Sequence, residues 1–275
     1  MNTILTKEDE AMIKEAKGNK VSGPIYSEDG LRLLKVLGNP EYLEVKDGVK
    51  AICDEACLGL DNLHDVVLPA SVTDLGTRAF ASCIKLFKIT MPGVDFIGIE
   101  SFAHCENLKE IALPETLGKI WKAAFADCKA LEEINIPSHL KIIDKSAFRN
   151  SGLKSLNIVI SDDCECCIYD KAFASCKHLE SVYLNKNVKI VERMAFAGCT
   201  SLMTIGFENP SLTGLIGETD LIAEINATML IGCTSLEKII VPKNKYNHYP
   251  DFNIQGYESA QFETRDFNSL VTPKE

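Results

Sequence analysis

The chain lacks the features that would place it in a membrane or on a nucleic acid. No apolar run approaches the roughly 18–20 residues that a membrane-spanning helix needs. Basic residues are in the minority, because 29 Lys and Arg stand against 39 Asp and Glu, which gives a net charge of −10 and a pI near 5.1. Surfaces that bind phosphates need clustered positive charge. The sequence therefore predicts no nucleic-acid partner and no membrane insertion.

Catalytic motifs are missing as well. The sequence contains no Gly-x-Ser-x-Gly, no phosphate-binding glycine loop and no His-Glu-x-x-His. A Cys–His enzyme needs its thiol and imidazole in one pocket, whereas the histidines occupy different positions of different repeats. These are His64, His104, His139, His178 and His248. We expect no enzymatic activity and no cofactor.

The N-terminal segment Met1–Glu10 is acidic and has no continuous apolar stretch. It does not read as a signal peptide, which needs a basic start followed by an apolar region. This predicts a cytoplasmic protein. The alternative is a cell-surface or secreted protein whose export signal has been removed.

What the chain does have is a repeat of about 23 residues. The unit Ile97–Pro114 and the unit Ile120–Pro137 fill the same positions with apolar residues. Aligned on their aromatic position, the units centre on Cys57, Phe80, Phe102, Phe125, Phe148, Phe173, Phe196 and Leu230. Such a period predicts a solenoid, in which each coil buries its apolar face against its neighbours. Two longer steps indicate insertions at Asp162–Cys167 and Pro210–Glu224.

Spacing inside a unit predicts its local structure. Apolar positions at i, i+1, i+4 and i+7 suit a short helix with one face inward, as in Ala124, Phe125, Cys128 and Leu131. The alternation over Leu131–Pro137 suits a short strand ended by proline. Two apolar positions, eight and five residues before the Phe, suit one short extended turn. We expect an α/β solenoid, a right-handed superhelix of about eight coils. Its parallel β-sheet should lie on the concave face, with short helices or turns on the convex side.

Both ends of the solenoid need caps. Thr6 could cap a helix over Lys7–Lys17 with Gly18 just past its end, and Tyr26–Val36 reads as a hairpin with an Asp-Gly turn. After Pro242 the period breaks and aromatic residues follow, which we interpret as a cover for the last coil; the alternative is a ligand-binding aromatic cluster. They are Tyr246, Tyr249, Phe252, Tyr257, Phe262 and Phe267. The predicted organisation is an N-terminal helix (1–20), a capping hairpin (21–48), repeats (49–242) and a C-terminal cap and tail (243–275).

The repeat columns resemble the BspA-like leucine-rich-repeat family, written loosely as Leu-Pro-x-x-Val-x-x-Ile-Gly-x-x-Ala-Phe-x-x-Cys-x-x-Leu-x-x-Ile-x-Leu-Pro. The match covers about Val49 to Pro242. Gly76 and Gly98 fill the glycine column, whereas other coils depart from it. The departures include Trp121 and Asp144 in the glycine column and Ser151 in the cysteine column.

This resemblance implies a non-enzymatic interaction protein, often on the surface of bacteria or protists and linked to adhesion. Two hypotheses follow. The first is a scaffold that binds a protein partner of unknown identity through its concave face. The second is a bacterial or protist surface adhesin that binds host or cell-surface proteins. In either case we expect a monomer.

On each predicted strand, the residues between the inward apolar positions face the concave side. The candidate partner-binding residues on this face are Lys88, Glu110, Glu133, Asn135, Asn157, Tyr183 and Lys238. Repeat proteins use such extended faces for partners, although a solvated face without any partner would have the same composition. The insertion Glu208–Glu224 is a second candidate surface.

Six of the eleven cysteines occupy one column: Cys83, Cys105, Cys128, Cys176, Cys199 and Cys233. Free cysteine packs as a small buried hydrophobe, which is how we interpret this column. A disulfide ladder is the alternative. We expect the helical side of neighbouring coils to spread beyond the ~7 Å Cα limit for a bridge, and reduced thiols favour a reducing compartment.

A separate cluster, Asp162–Cys167, contains Cys-x-Cys-Cys beside two carboxylates. It could hold a soft metal such as zinc, although its spacing matches no structural zinc pattern. A local disulfide and a bulged loop with partly buried thiols are the other two interpretations.

The packing interpretation of the six-cysteine column predicts its reactivity. These thiols should react with a thiol reagent only after denaturation, because the reagent must reach the sulfur. Mass spectrometry of native and denatured protein after brief labelling tests this expectation. Rapid labelling of the native protein would show that the column is accessible.

Overall fold

Successive coils stack as a parallel-strand solenoid of about eight turns, in the computed structural model that describes residues 2–209, 229–242 and 260–265. Its one α-helix within those ranges is α1 (Lys7–Gly18), at the N-terminal end. Thr6 caps this helix, since its hydroxyl accepts a hydrogen bond from the Asp9 amide at 3.2 Å. The Asp9 carboxylate in turn accepts one from the Thr6 amide at 2.8 Å. The helix therefore forms where the sequence predicts it, one residue longer.

Nine strands form one sheet, which we call the long sheet. It begins with the predicted hairpin, in which β1 (Gly23–Tyr26) and β2 (Arg32–Leu37) pair antiparallel. Parallel strands follow, one from each coil: β4 (Ala51–Ile52), β6 (Asp74–Leu75), β8 (Phe96–Ile97), β10 (Lys119–Ile120), β11 (Ile142–Ile143), β13 (Cys166–Ile168) and β15 (Val188–Val191). The sequence indicated only an extended turn at these positions. When the coils stack, this extended segment forms a second ladder, because its open backbone groups pair with those of the next coil.

The predicted strand column forms the concave face, but as two sheets rather than one. We call them together the split sheet. Its N-terminal half has four strands: β3 (Tyr42–Glu44), β5 (Asp65–Val67), β7 (Lys88–Thr90) and β9 (Glu110–Ile111). Its C-terminal half has five: β12 (Ser155–Ile158), β14 (Ser181–Leu184), β16 (Thr204–Phe207), β17 (Lys238–Pro242) and β18 (Gln261–Arg265). Residues 131–137, which the sequence assigns to a strand, form none and separate the two halves.

The third side of each coil consists of turns, the second of the two forms, short helices or turns, that the sequence predicts there. Hydrogen bonds alternate along this segment. The amide of Ala124 donates to Trp121 within its own coil at 3.1 Å, while the amide of Phe125 donates to Ala147 of the next coil at 2.8 Å. In a helix, these amides would bind carbonyl groups within the same coil. Here every second amide binds the neighbouring coil instead.

Left-handed backbone conformations make this alternation possible. In most coils the residues two before and two after the central Phe have positive φ, as Ala123 (53°) and Asp127 (62°) do around Phe125. This region costs a non-glycine residue about 1–2 kcal/mol. The hydrogen bonds between coils offset that cost. The apolar spacing alone could not reveal the alternation, because it fits a turn of this shape as well as a helix.

Stacked phenyl rings fill the core beneath these turns. Six Phe side chains are fully buried and follow one another at centroid distances of 5.2 to 5.6 Å, with ring planes within 7° of parallel. They are Phe80, Phe102, Phe125, Phe148, Phe173 and Phe196. The coils are therefore close together on this side too, and the expected spreading beyond 7 Å does not occur.

The cysteine column lies beside the rings, and its thiols are buried and free. Each Sγ donates to a carbonyl of an earlier coil, as Cys105 does to Phe80 O at 3.1 Å and Cys128 to Phe102 O at 3.2 Å. Burial raises the pKa of Cys83 to about 12. Where Ser151 replaces cysteine, its hydroxyl lies 3.3 Å from the sulfur of Cys176. The cysteine column is therefore part of the packed core. Hydrogen bonds to carbonyl groups of the preceding coil hold its thiols in place.

The sheet continues beyond the point at which the sequence pattern stops. β18 lies in register with β17, so that Phe262 pairs with Ile239, 23 residues earlier. The insertion at Pro210–Glu224 lies outside the described residues, as does His248. The aromatic side chains that we interpreted as a cover also lie outside them: Tyr246, Tyr249, Phe252, Tyr257, Phe262 and Phe267.

The ring stack predicts a position-dependent loss of stability. Phe125→Ala removes a fully buried ring between two others and should cost about 3–5 kcal/mol. Phe87→Ala is the matched control, because Phe87 is only partly buried and stacks on His64 at 5.4 Å. Urea unfolding followed by circular dichroism should show a much larger drop in midpoint for Phe125→Ala. Equal drops would mean that the stack does not hold the coils together.

Candidate functional site

The concave face presents two columns of side chains, and the strand pairing brings them into register. Asp65, Lys88 and Glu110 pair in one column of the N-terminal half. In the C-terminal half, Ser155, Ser181, Thr204 and Lys238 continue the same column, and Asn157, Tyr183, Gly206 and Ile240 form the second. The columns are those expected from the sequence, apart from the interruption at 131–137.

Neighbouring charges on this face largely neutralise one another. Lys88 Nζ lies 2.8 Å from a Glu110 carboxylate oxygen, and the hydrogen bond to that carboxylate raises the pKa of Lys88. At the far end, Lys238 Nζ lies 3.0 Å from Glu263. Two of the predicted binding residues thus already hold an acidic partner on the next strand.

Tyr183, the one aromatic candidate, is half-buried and held in place. Its hydroxyl donates to Glu208 Oε2 at 3.1 Å, and the same oxygen accepts the Lys186 amide at 3.0 Å. Asn157 is exposed in the middle of β12. Both lie in the C-terminal half of the split sheet.

The interruption between the halves, which we call the break (residues 131–137), is the most unusual part of this face. Among the described residues, no backbone–backbone hydrogen bond joins residues 133–136 to a strand on either side. The amide of Lys154 still reaches Glu132 O at 3.0 Å at the edge of the break. Each coil before and after it pairs normally. The main-chain groups of four residues are therefore open in the middle of a sheet.

Two features of the sequence explain why the ladder fails here. A closed ladder would place Glu110 directly opposite Glu133, and like charges facing each other destabilise strand pairing. In addition, the side chain of Asn135 forms the hydrogen bonds that its backbone would form in a ladder. Its amide nitrogen donates to Leu113 O at 2.8 Å, and its Oδ1 accepts the Leu113 amide at 2.9 Å.

The break exposes core residues. Apart from Ile111 in β9 beside the break, the inward residues of the paired strands are at most 4% exposed, as Ile89 (3%) and Leu156 (4%) are. By contrast, Ile111, Ile134 and Ile136 are only partly buried. A groove of about 1030 Å³ opens over them on the concave face, lined by residues 88–92, 109–114, 133–136, 155, 157 and 159.

The groove brings together five of the seven predicted binding residues: Lys88, Glu110, Glu133, Asn135 and Asn157. Tyr183 and Lys238 do not line it. The sequence missed its apolar floor, because Ile111 and Ile134 look like ordinary core positions in their repeats. The adjacent acidic pair Glu110 and Glu133 was the one visible signal.

The cysteine cluster forms no comparable site. Cys164 and Cys166 are buried, Cys167 is half-buried, and the strand register shifts between Cys166 and Cys167. The bulge of the third interpretation is present, but it lies inside strand β13 rather than in a loop, and only Cys167 is partly buried. Cys164 Sγ donates to His139 O at 3.4 Å, and burial raises the pKa of both Cys166 and Cys167. Within the described ranges, no group of three His, Cys, Asp or Glu residues is arranged to hold a metal ion.

The described histidines lie in separate surroundings. His64 pairs with Asp65 at 2.7 Å, His104 lies 3.7 Å from Asp127, and His139 lies 3.7 Å from Asp163. None of the residues that line the groove is a histidine or a cysteine. In the part of the chain that the structure describes, no helix is both long and apolar enough to cross a membrane.

Comparison with known families decides what the repeats are. The profile of the BspA type leucine-rich-repeat region matches residues 50–165 and 166–251, with six copies. The chain belongs to this family. The BspA-type match covers most of the chain and agrees with the columns found in the sequence. No curated protein matches the chain.

Several solved structures resemble this BspA-type solenoid. One is a leucine-rich cell surface protein from Faecalibacterium prausnitzii, 16% identical over 90% of this chain and 93% of that one, with a TM-score of 0.46. A second is a leucine-rich-repeat protein from T. pallidum, 25% identical over 68% of this chain and 83% of that one, with a TM-score of 0.44. A third, from Bacteroides ovatus, is 18% identical over 90% of this chain and 99% of that one, with a TM-score of 0.26.

Proposed function

We propose that this BspA-type repeat protein is a non-enzymatic scaffold that binds a protein partner on its concave face, centred on the groove at the break. The observation that carries the proposal is the groove itself. Elsewhere on the split sheet the inward residues are covered by strand pairing, whereas here Ile111, Ile134 and Ile136 reach the surface. Apolar surface surrounded by polar residues is typical of protein-binding sites.

The charges of the groove favour a polypeptide over a polyanion. Lys88 and Lys109 are balanced by Glu110 and Glu133 along the same lining. A nucleic acid would require an excess of positive charge. Since the lining contains neither histidine nor cysteine, it offers no imidazole base and no thiol nucleophile.

The adhesin hypothesis concerns where the chain acts rather than how it binds. The same groove would serve either kind of partner, a host or cell-surface protein or an intracellular protein. The location, cytoplasmic or alternatively at the cell surface, and the monomeric state remain predictions from the sequence.

Partner capture tests the concave-face proposal. The triple variant Glu110→Ala, Glu133→Ala and Tyr183→Ala should lose a partner that the unmodified protein recovers from lysate or surface extract of the source cells. Its matched control, Glu28→Ala, Glu165→Ala and Tyr169→Ala, changes the same residue types away from the concave face and should recover the partner fully. Quantitative mass spectrometry compares the three samples.

Equal recovery by both triple variants would contradict binding through the concave face. Loss of the partner with the control variant but not with the concave-face variant would indicate that the interface lies on the side of the long sheet.

A further inference from the structure

The coil that contains Phe148 is one residue shorter than its neighbours after the position of the cysteine column. The neighbouring coils place two residues between the column cysteine and the next inward leucine, as in Cys128–Leu131. Here Gly152 alone stands between Ser151 and the leucine. Gly152 is buried, and a Cβ at this position would overlap the carbonyl oxygen of Lys129, so the shortened path requires glycine.

The missing residue leaves a small cavity between the coil before and the coil after, which we call the notch. Its volume is about 160 Å³. The buried residues Ser151 and Gly152 line it together with the exposed side chains of Lys129, Lys177 and His178. No Asp or Glu lines the notch, although acidic residues outnumber basic ones by 39 to 29 in the whole chain. The notch is therefore a locally basic site on an acidic protein.

Neighbouring carboxylates do not occupy all of this basic charge. Lys129 Nζ lies 2.7 Å from Glu106, so this lysine already has a partner. Glu132 lies 2.7 Å from Lys154, whose hydrogen bond is the largest cause of the lowered pKa of Glu132, and His178 makes a smaller contribution. Within the described ranges, the other two basic side chains of the notch form no ion pair. An ammonium group and an imidazole ring are thus available to a ligand.

Two further hydrogen-bond donors at the notch lack an acceptor. In the coil of Phe125, the Ala130 amide donates to the Glu106 carbonyl of the preceding coil at 3.0 Å. The equivalent amide, that of His178, faces the shortened coil and has no acceptor among the described residues. The hydroxyl of Ser175, which also lines the notch, has no hydrogen-bond partner in the same part of the chain. Open donors beside a cavity favour a ligand that carries acceptor atoms.

We infer that the notch binds one small tetrahedral oxyanion, sulfate or phosphate, either free or as the ester group of a small molecule. Lys177 supplies the positive charge, and the His178 ring, the His178 amide and the Ser175 hydroxyl donate hydrogen bonds to its oxygens. Charge-assisted hydrogen bonds of this kind are the stronger ones. The notch shares no residue with the groove on the concave face, so the inference is independent of the proposed function.

Titration of the isotope-labelled full chain with sodium sulfate and with sodium phosphate, followed by NMR, tests the inference. The amide signals of Gly152, Ser175 and His178 should shift and reach saturation. Sodium chloride at the same ionic strength should not reproduce these shifts, because a chloride ion cannot accept hydrogen bonds on several oxygens at once. Methyl sulfate and methyl phosphate identify the source of the anion. If they bind as well as the inorganic ions, the site accepts an ester; if they do not, it takes the free ion.

Two variants locate the anion. The double variant Lys177→Gln and His178→Gln should weaken sulfate binding about tenfold or more, since it removes the ammonium group and the imidazole ring. The matched control, His139→Gln and Lys141→Gln, changes the same residue types at exposed positions outside the notch and should leave the affinity unchanged. Insertion of one alanine after Gly152 gives this coil the length of its neighbours and should abolish binding. Circular dichroism checks that each variant is folded.

Several results would overturn the inference. They are shifts that sodium chloride reproduces, shifts that do not saturate or that lie away from the notch, and an equal effect of the double variant and its control. Unchanged affinity in a folded insertion variant would contradict it as well. If the insertion prevents folding, Ser175→Ala replaces it, and a threefold or smaller loss in the double variant, together with no loss in Ser175→Ala, would then exclude the notch as the site.

Discussion

Hydrogen bonds between the main chains of successive coils are the interaction on which this structure depends. They run along the long sheet, along the split sheet and, at every second amide, along the turns. Left-handed residues such as Ala123 and Asp127 are tolerated because their own amides donate across to the next coil. The buried rings and thiols then stack at the spacing that these bonds impose. One coil alone would have neither its hydrogen bonds nor its core.

This dependence explains both the success and the limits of sequence reasoning. The 23-residue period predicts the stack, the strand columns and the buried cysteines, because identical coils in register must place equivalent residues together. It does not distinguish the turns from short helices, since an inward Phe125 satisfies both. It gives no sign that the turn before Phe125 would pair into a second sheet, because two-residue strands have too little pattern.

At the candidate site, sequence reasoning again predicts one part and not the other. Glu110 and Asn135 were predicted to face the concave side. Glu110 lies in register with Lys88, whereas Asn135 lies outside any strand and its side chain bonds the backbone of Leu113. That the ladder fails between them could not be predicted, because it results from two effects together: a like-charge contact, and a side chain that makes the hydrogen bonds of the backbone. Ile134 looks like a core residue in sequence, but it is only partly buried and lies in a segment that forms no strand.

A solenoid can accommodate such a local failure because each coil contacts only its neighbours. The six-ring stack passes beneath the break without interruption, with Phe125 5.2 Å from Phe148. The coil that loses its sheet pairing is therefore still held on its other two sides. An opening in a sheet that a globular domain would close by repacking is here a stable part of the surface.

Residue-resolved amide hydrogen exchange of the free protein, measured by NMR, tests this account most directly. The amides of Ile134 and Asn135 should exchange close to the rate of an open chain. Those of Ile89 and Val182, which lie in paired strands of the N-terminal and C-terminal halves of the split sheet, should remain strongly protected. Equal protection at all four positions would mean that the ladder runs unbroken across the concave face and that the groove does not exist in solution.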